Sequence, residues 1–370
     1  MVLNDTKWSA GPQSGRLPEP EKAMPPPLAT ASALHLLEET MNGSGLEGRA
    51  RQRLTAIQGI FEQDLAYLEA ELASVAEDGA YPGTAAAGHL VRVAGKRVRP
   101  LTLLLSAACF GAVTDPAREL AVVAELVHSA TLLHDDVIDD SPLRRGRPAA
   151  RAVFGNAVSV LAGDLLLTHA LDRTLRAAPD AMPDLLFTLR RLVDGEIVQL
   201  RGRVELDVSE SAYFRVLEDK TASLFGWAAR AGARAAGALA GEVEALGRFG
   251  ERMGVAFQLV DDVLDYEGDT AEMGKSLLSD LGEGKVTLPL VLALAREPGL
   301  ADGLARARAG DGDAALGLGK AVRRLHVCDD VRRRAEGETD RALAALGEVR
   351  AAPAREMLRA LAIELTSRTS

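Results

Sequence analysis

Two five-residue clusters, Asp135-Asp136-Val137-Ile138-Asp139 and Asp261-Asp262-Val263-Leu264-Asp265, hold the residue types and spacing in this chain that could do chemistry. Each follows an apolar stretch, Leu120 to Leu133 and Val255 to Val260, where unpaired carboxylates are strongly disfavoured. If both stretches are helical, the first and fifth positions share one face, about 6 Å apart along the axis. That spacing lets two carboxylates grip one hard cation or bridge two. Aspartates that form an incomplete cage suit Mg²⁺, which keeps waters and takes its remaining ligands from phosphate oxygens. Two such faces looking at each other would make a metal-bridged diphosphate site. One cluster alone could equally be a solvated acidic helix end or a loose calcium site. Repetition at the same spacing, inside buried-looking sequence, favours the diphosphate reading.

The formal net charge is −10, which disfavours nucleic acid or an anionic membrane as a general partner. An acidic chain that handles diphosphates must therefore recruit positive charge locally. Gly95-Lys96-Arg97-Val98-Arg99-Pro100 forms a basic turn ahead of an apolar helix, able to aim a Lys and a forked Arg contact at one phosphate. His128 lies two helical turns before Asp135 on nearly the same face, and Arg144-Arg145-Gly146 follows the first cluster. Lys220-Thr221 interrupts a helix, Gln258 lies three residues before Asp261, and Lys275 and Lys285 flank Asp280-Leu281-Gly282-Glu283-Gly284. The plain reading of a lone Lys or Arg is a solvated surface group. For Thr221 and Gln258 the rival role is a hydrogen bond in helix packing. His134 reads as a group that caps or orients Asp135. His89 and His169 take no role, and Trp227 and the methionines read as core.

The elements that must position these groups are helices. Of 370 residues, 47% are hydrophobic, dominated by Ala, Leu and Val, and only 4% are aromatic. Apolar residues recur at i, i+3 and i+4 almost everywhere after residue 48, and period-two alternation is scarce. This predicts an all-α fold, one large bundle of long helices around a deep central cavity, over residues 49–370. Leu54, Ile57, Phe61, Leu65, Leu68 and Leu72 form its first apolar face. Asp115-Pro116 reads as an N-cap with proline at the first helical position, Ser141-Pro142 as a stop, and Ser209 as the start of the helix containing Lys220. Residues 1–48, rich in Pro, Ala, Ser and Gly, read as a disordered extension. No transmembrane segment is expected, and two cysteines without a CxxC suggest a reduced, cytoplasmic setting.

The ordered set GKRVRP, HSATLLHDDVIDDSPLRRGRP, GDLLL, KTASLF, FQLVDDVLDYEGD and GKSLLSDLGEGKVTLPL resembles the trans-polyprenyl diphosphate synthase family over about residues 55–370. The resemblance implies a helical bundle, usually a homodimer, with three Mg²⁺ between the aspartate clusters. It implies that Asp135 and Asp139 hold two ions, and that Asp261, with Asp265 in support, holds a third. Arg144, Lys220, Lys275 and Lys285 would cradle an allylic diphosphate, such as farnesyl or geranylgeranyl diphosphate, with Thr221 and Gln258 as hydrogen-bond donors. Lys96, Arg99, His128 and Arg145 would hold isopentenyl diphosphate. The chain departs from the family's frequent GKxxGDDLxEGK pattern, since Lys275 is followed by Ser276-Leu277-Leu278-Ser279-Asp280.

Product length follows from the first aspartate helix. Ala130, five residues before Asp135, stands above Leu126 and Val123 at helical spacing, and no aromatic residue blocks that face. In related short-chain enzymes a Tyr or Phe near this position limits elongation, so a product longer than geranylgeranyl diphosphate is expected. A terpene cyclase would replace the second aspartate cluster with an Asn, Ser/Thr and Glu triad, and a non-catalytic partner subunit would lose aspartates. Neither pattern is present.

Overall fold

The computed structural model describes residues 54–93, 95–144, 146–205, 207–267 and 278–367, with only the backbone of Ser279. The expected extension over residues 1–48, together with Arg145 and Lys275, lies outside the described residues. Residues 54–60 are helical and pass through a turn at Phe61 into α1 (Glu62–Val75). There follow α2 (Gly83–Val91), α3 (Val98–Ala108) and α4 (Asp115–Ile138), which ends within the first aspartate cluster. The chain then pairs β1 (Leu143–Arg144) with β2 (Arg147–Pro148) in a short antiparallel ribbon, placing Arg144 opposite Arg147. Next come α5 (Ala150–Phe154), α6 (Asn156–Ala177), α7 (Met182–Glu205) and α8 (Glu210–Leu217). A π turn over Glu218–Ala222 joins α8 to α9 (Ser223–Ala235), and α10 (Ala240–Glu267) carries the second cluster. The chain closes with α11 (Ser279–Gly282), α12 (Leu288–Arg296), α13 (Leu300–Arg308), α14 (Gly312–Arg324), α15 (Val327–Leu346) and α16 (Pro353–Thr366). Among the described residues, the all-α expectation holds apart from the ribbon.

Helix α4 packs on α6, α3 and α9, and α9 in turn packs on α10. The two aspartate helices therefore meet through α9. Two apolar clusters hold this arrangement. The larger joins α1–α4, α6, α9, the first half of α10 and α16, and the second packs the end of α10 against α12–α15. Full burial of each Leu or Val contributes about 1.5–3 kcal/mol relative to exposure. Ala130, Leu126 and Val123 are all buried in the larger cluster, as is Trp227. On the first apolar face, Ile57, Phe61, Leu68 and Leu72 are buried, with Leu54 and Leu65 partly so.

The start of α4 differs by one residue from the expectation. Thr114, in extended conformation, accepts a hydrogen bond from the Ala117 amide at 3.3 Å, so Thr114 is the cap. Asp115 and Pro116 are then the first two helical residues, where an acid and a missing N–H both suit the helix terminus. Ser209 caps α8 as expected, accepting from Ala212 at 3.2 Å. Among the described residues, no helix is long and apolar enough to cross a membrane.

Candidate active site

Each cluster uses its second aspartate as an anchor. Asp136 is buried and accepts a forked contact from Arg144, with Nε at 2.8 Å, which folds the β-ribbon back onto the end of α4. Asp262 is likewise buried, accepting from the Tyr213 hydroxyl at 2.6 Å and from Gln258 Nε2 at 2.8 Å. Burial, with the Asp280 charge nearby, pushes the Asp262 carboxyl well above the usual carboxylate range. These contacts settle the helical phase at each cluster, and the first and fifth aspartates take their directions from it.

In the first cluster those two residues are ringed by cations. Lys220 Nζ lies 3.3 Å from Asp135 Oδ2 and also pairs with Glu196. Burial raises the Asp135 carboxyl above its ordinary range, Lys220 opposes the shift, and Glu196 and Asp139 add to it. Asp139 is paired on both oxygens, with Arg203 at Oδ1 and Lys285 Nζ 2.8 Å from Oδ2. Burial alone would raise Asp139, but Lys285 and Arg203 outweigh it and hold its pKa below the usual value. Lys285 also contacts Glu283 at 2.6 Å, and Ser141 reaches Glu283 at 3.1 Å, so this loop closes over the end of α4. Its other side reaches the second cluster, where the Asp280 amide donates to the Asp265 carboxylate at 3.4 Å.

The π turn brings the two clusters together. Lys220 faces Asp135, whereas the next residue, Thr221, donates to Gln258 Oε1 at 3.1 Å, and Gln258 holds Asp262. Adjacent residues thus reach opposite clusters, Lys220 directly and Thr221 through Gln258. A π turn shifts the register by one residue, which lets neighbouring side chains diverge in this way. The turn is clasped from two helices. Arg191 of α7 donates to Asp219 Oδ1 at 2.8 Å and to the Glu218 carbonyl at 3.1 Å. Gly195 and Gly254 let α7 and α10 approach, since an added Cβ would lie 2.9 Å from Lys220 N or 2.8 Å from Ala222 Cα.

A family model for polyprenyl synthetase matches residues 84–313, more than half of the chain. This chain belongs to the polyprenyl synthetase family. The synthase is 37% identical to octaprenyl diphosphate synthase of Escherichia coli (strain K12) over 278 residues, covering 74% of this chain and 86% of that one. A polyprenyl synthase from Caulobacter crescentus CB15, solved with calcium and isoprenyl diphosphate, superposes with a TM-score of 0.80 at 36% identity. That match covers 86% of this chain and 98% of the other. Decaprenyl diphosphate synthase from Rhodobacter capsulatus gives 0.78 at 32% identity, covering 86% and 99%. The synthase is a prenyltransferase that elongates trans-prenyl chains. Its family uses isopentenyl and allylic diphosphates and is Mg²⁺-dependent in general.

The other residues singled out from the sequence make contacts of their own. Arg99, in the first turn of α3, places its guanidinium 4.6 Å from the centre of the Phe225 ring, which stands four residues after Thr221. Lys96 is exposed, and its carbonyl accepts from Gln58 at 3.2 Å. His128 is half-buried on α4, its carbonyl accepting from Thr131 at 2.8 Å. His134 packs instead toward α6, 3.2 Å from the Val160 carbonyl and 3.3 Å from Asp164, because the absent side chain of Gly163 leaves room for its ring. Sequence reasoning overlooked Glu196, Gln199 and Arg203 of the synthase. Their i, i+3, i+7 spacing puts all three on one face of α7, a stripe that was legible but reads as a solvated helix side.

Proposed function

We propose that this synthase joins isopentenyl diphosphate repeatedly to an allylic diphosphate, such as farnesyl diphosphate, to make a product longer than geranylgeranyl diphosphate. The observation that carries this reading is the π turn whose adjacent residues reach opposite aspartate clusters, Lys220 directly and Thr221 through Gln258. Asp135, Asp139, Asp261 and Asp265 would hold divalent ions, with three Mg²⁺ as the expected number. The donor set fits, because it is all carboxylate oxygen, and burial, with Glu196 and Asp139 nearby, disfavours a bare charge on Asp135. Among the described residues no three such ligands converge on one point, so diphosphate oxygens would complete each coordination shell. Bound Mg²⁺ would supply charge neutralisation to the diphosphate.

Lys220 and Lys285, with Lys275, would cradle the allylic diphosphate, and Arg144 would enter through its hold on Asp136. Thr221 and Gln258 would orient the second cluster. As the allylic C–O bond breaks, its electron pair leaves with pyrophosphate, and the cradle stabilises that growing charge. Lys96, Arg99, His128 and Arg145 would hold isopentenyl diphosphate so that its double bond attacks the allylic carbon. A C–C bond forms, a proton leaves for pyrophosphate, and a new allylic diphosphate remains. Incubation of the purified chain with Mg²⁺, farnesyl diphosphate and labelled isopentenyl diphosphate should release pyrophosphate and give long-chain prenyl products by chromatography. Turnover of farnesyl diphosphate alone to a hydrocarbon would overturn the reading.

Product length would be governed beside α4, where small Ala130 lies in the core above Leu126 and Val123. Ala130→Tyr should shorten the product by steric block, read by the same chromatography. An unchanged product distribution would remove the tunnel from this face.

A homodimer is also proposed. Leu186, Val193, Ile197 and Val204 form an exposed apolar stripe along α7, with Phe187 beside it and Leu161 exposed on α6. Monomeric proteins rarely leave such a patch uncovered. Light scattering should give twice the mass of one chain, and Phe187→Glu should halve it. The buried, unpaired Cys109 and Cys328 support the cytoplasmic setting expected from the sequence.

A further inference from the structure

We propose that Arg203 of α7 is a diphosphate-binding residue of this synthase, a cation placed beside Lys220 and Lys285. The proposal rests on the reading of the site as one for allylic diphosphate. Arg203 is ion-paired to Asp139 Oδ1, and only 14% of its side chain is exposed. With the Gln199 amide turned so that its carbonyl faces them, that oxygen accepts from both Lys220 Nζ and Arg203 Nη2 at 3.2 Å. Two cations thus share one neutral acceptor while each keeps carboxylate partners of its own, Asp135 and Glu196 for Lys220 and Asp139 for Arg203. The Arg203 Nε–H is buried and meets no acceptor among the described residues. A buried guanidinium donor without a partner is costly.

Asp139 takes Nη2, and the neighbouring Nε–H on the same edge of the fork remains to donate to a phosphate oxygen. Arginine suits this double duty, since its planar donors serve two acceptors at fixed angles. The anion that answers Lys220, Lys285 and Arg203 together is a diphosphate rather than a monophosphate, because these cations approach two aspartates four residues apart. The isopentenyl diphosphate group assigned to Lys96 and Arg99 would not sense Arg203.

The test compares Arg203→Met, Arg203→Gln and Arg203→Lys with the parent enzyme. Michaelis constants are measured for each substrate, and binding of inorganic pyrophosphate with Mg²⁺ by calorimetry. Arg203→Met and Arg203→Gln should each raise the allylic KM and the pyrophosphate Kd by about 10- to 100-fold, with the isopentenyl KM within about twofold of the parent. Arg203→Lys should recover part of the pyrophosphate affinity, having the charge without the fork. Unchanged pyrophosphate affinity in folded Met and Gln variants would overturn the proposal and leave Arg203 as a partner of Asp139 alone. A parent enzyme that binds no pyrophosphate and makes no product would instead refute the functional reading beneath it.

Discussion

Asp135→Asn should lower kcat/KM for chain elongation by about 10³-fold while the protein stays folded. A ligand carboxylate contributes several kcal/mol of charge stabilisation through its ion, and each 1.36 kcal/mol is a factor of ten in rate. The fold should tolerate the change. Burial already disfavours the charged form of Asp135, and Lys220 keeps Glu196 as a partner when the carboxylate is removed. Initial rates of pyrophosphate release and a thermal melt would be measured on the same preparation. A melt near that of the parent with a rate loss under about tenfold would take Asp135 out of the metal-binding role. Asp262→Asn makes the informative contrast. It removes one hydrogen-bond acceptor for Tyr213 and Gln258, so its cost should divide between stability and rate.

The difference between these two aspartates was not legible in the sequence. Spacing alone identified the clusters and the i, i+4 relation of Asp135 to Asp139, because helical geometry is a local rule. It could not say that the second aspartate of each cluster turns inward to be anchored. That depends on Arg144 and Tyr213, which come from elements whose approach is a tertiary fact. Lys220-Thr221 was visible as an interruption of a helix. Its effect, one residue facing each cluster, needed the π turn and the clasp by Arg191 and Gly195. Arg203 was hidden for a different reason. On an amphipathic helix, a polar stripe toward solvent and a polar stripe toward a site share one pattern. The cap of α4 was missed by one residue because Thr114 and Asp115 are both good caps, and only backbone conformation separates them.

Arg97 gives the second large effect, and it lies within the basic turn that sequence reading had assigned to phosphate. Its neighbour Lys96 is exposed and Arg99 is half-buried against Phe225, whereas the Arg97 side chain is only 6% exposed. It adopts a left-handed backbone conformation, φ 49°, that drives its guanidinium inward. There it donates to Glu69 at 2.7 and 2.9 Å, to Glu125 at 2.5 Å and to the Val91 carbonyl at 3.0 Å. Helices α1, α2 and α4 are thereby tied to the start of α3, and Glu125 lies on the same helix as Asp135. Arg97→Met should destabilise the fold by about 3–5 kcal/mol, because it strands the buried Glu125 carboxylate while keeping the strained backbone. In a chain of this size that is a fall in Tm of roughly 5 °C. Arg97→Met combined with Glu125→Leu should recover much of the loss, since removing both charges is far cheaper than removing one. Below the melt, Arg97→Met should raise the KM for isopentenyl diphosphate more than that for the allylic substrate, because the turn carrying Lys96 and Arg99 loses its anchor. Equal melting of the parent and Arg97→Met, or no recovery in the double variant, would show that this ion pair does not set the position of the turn.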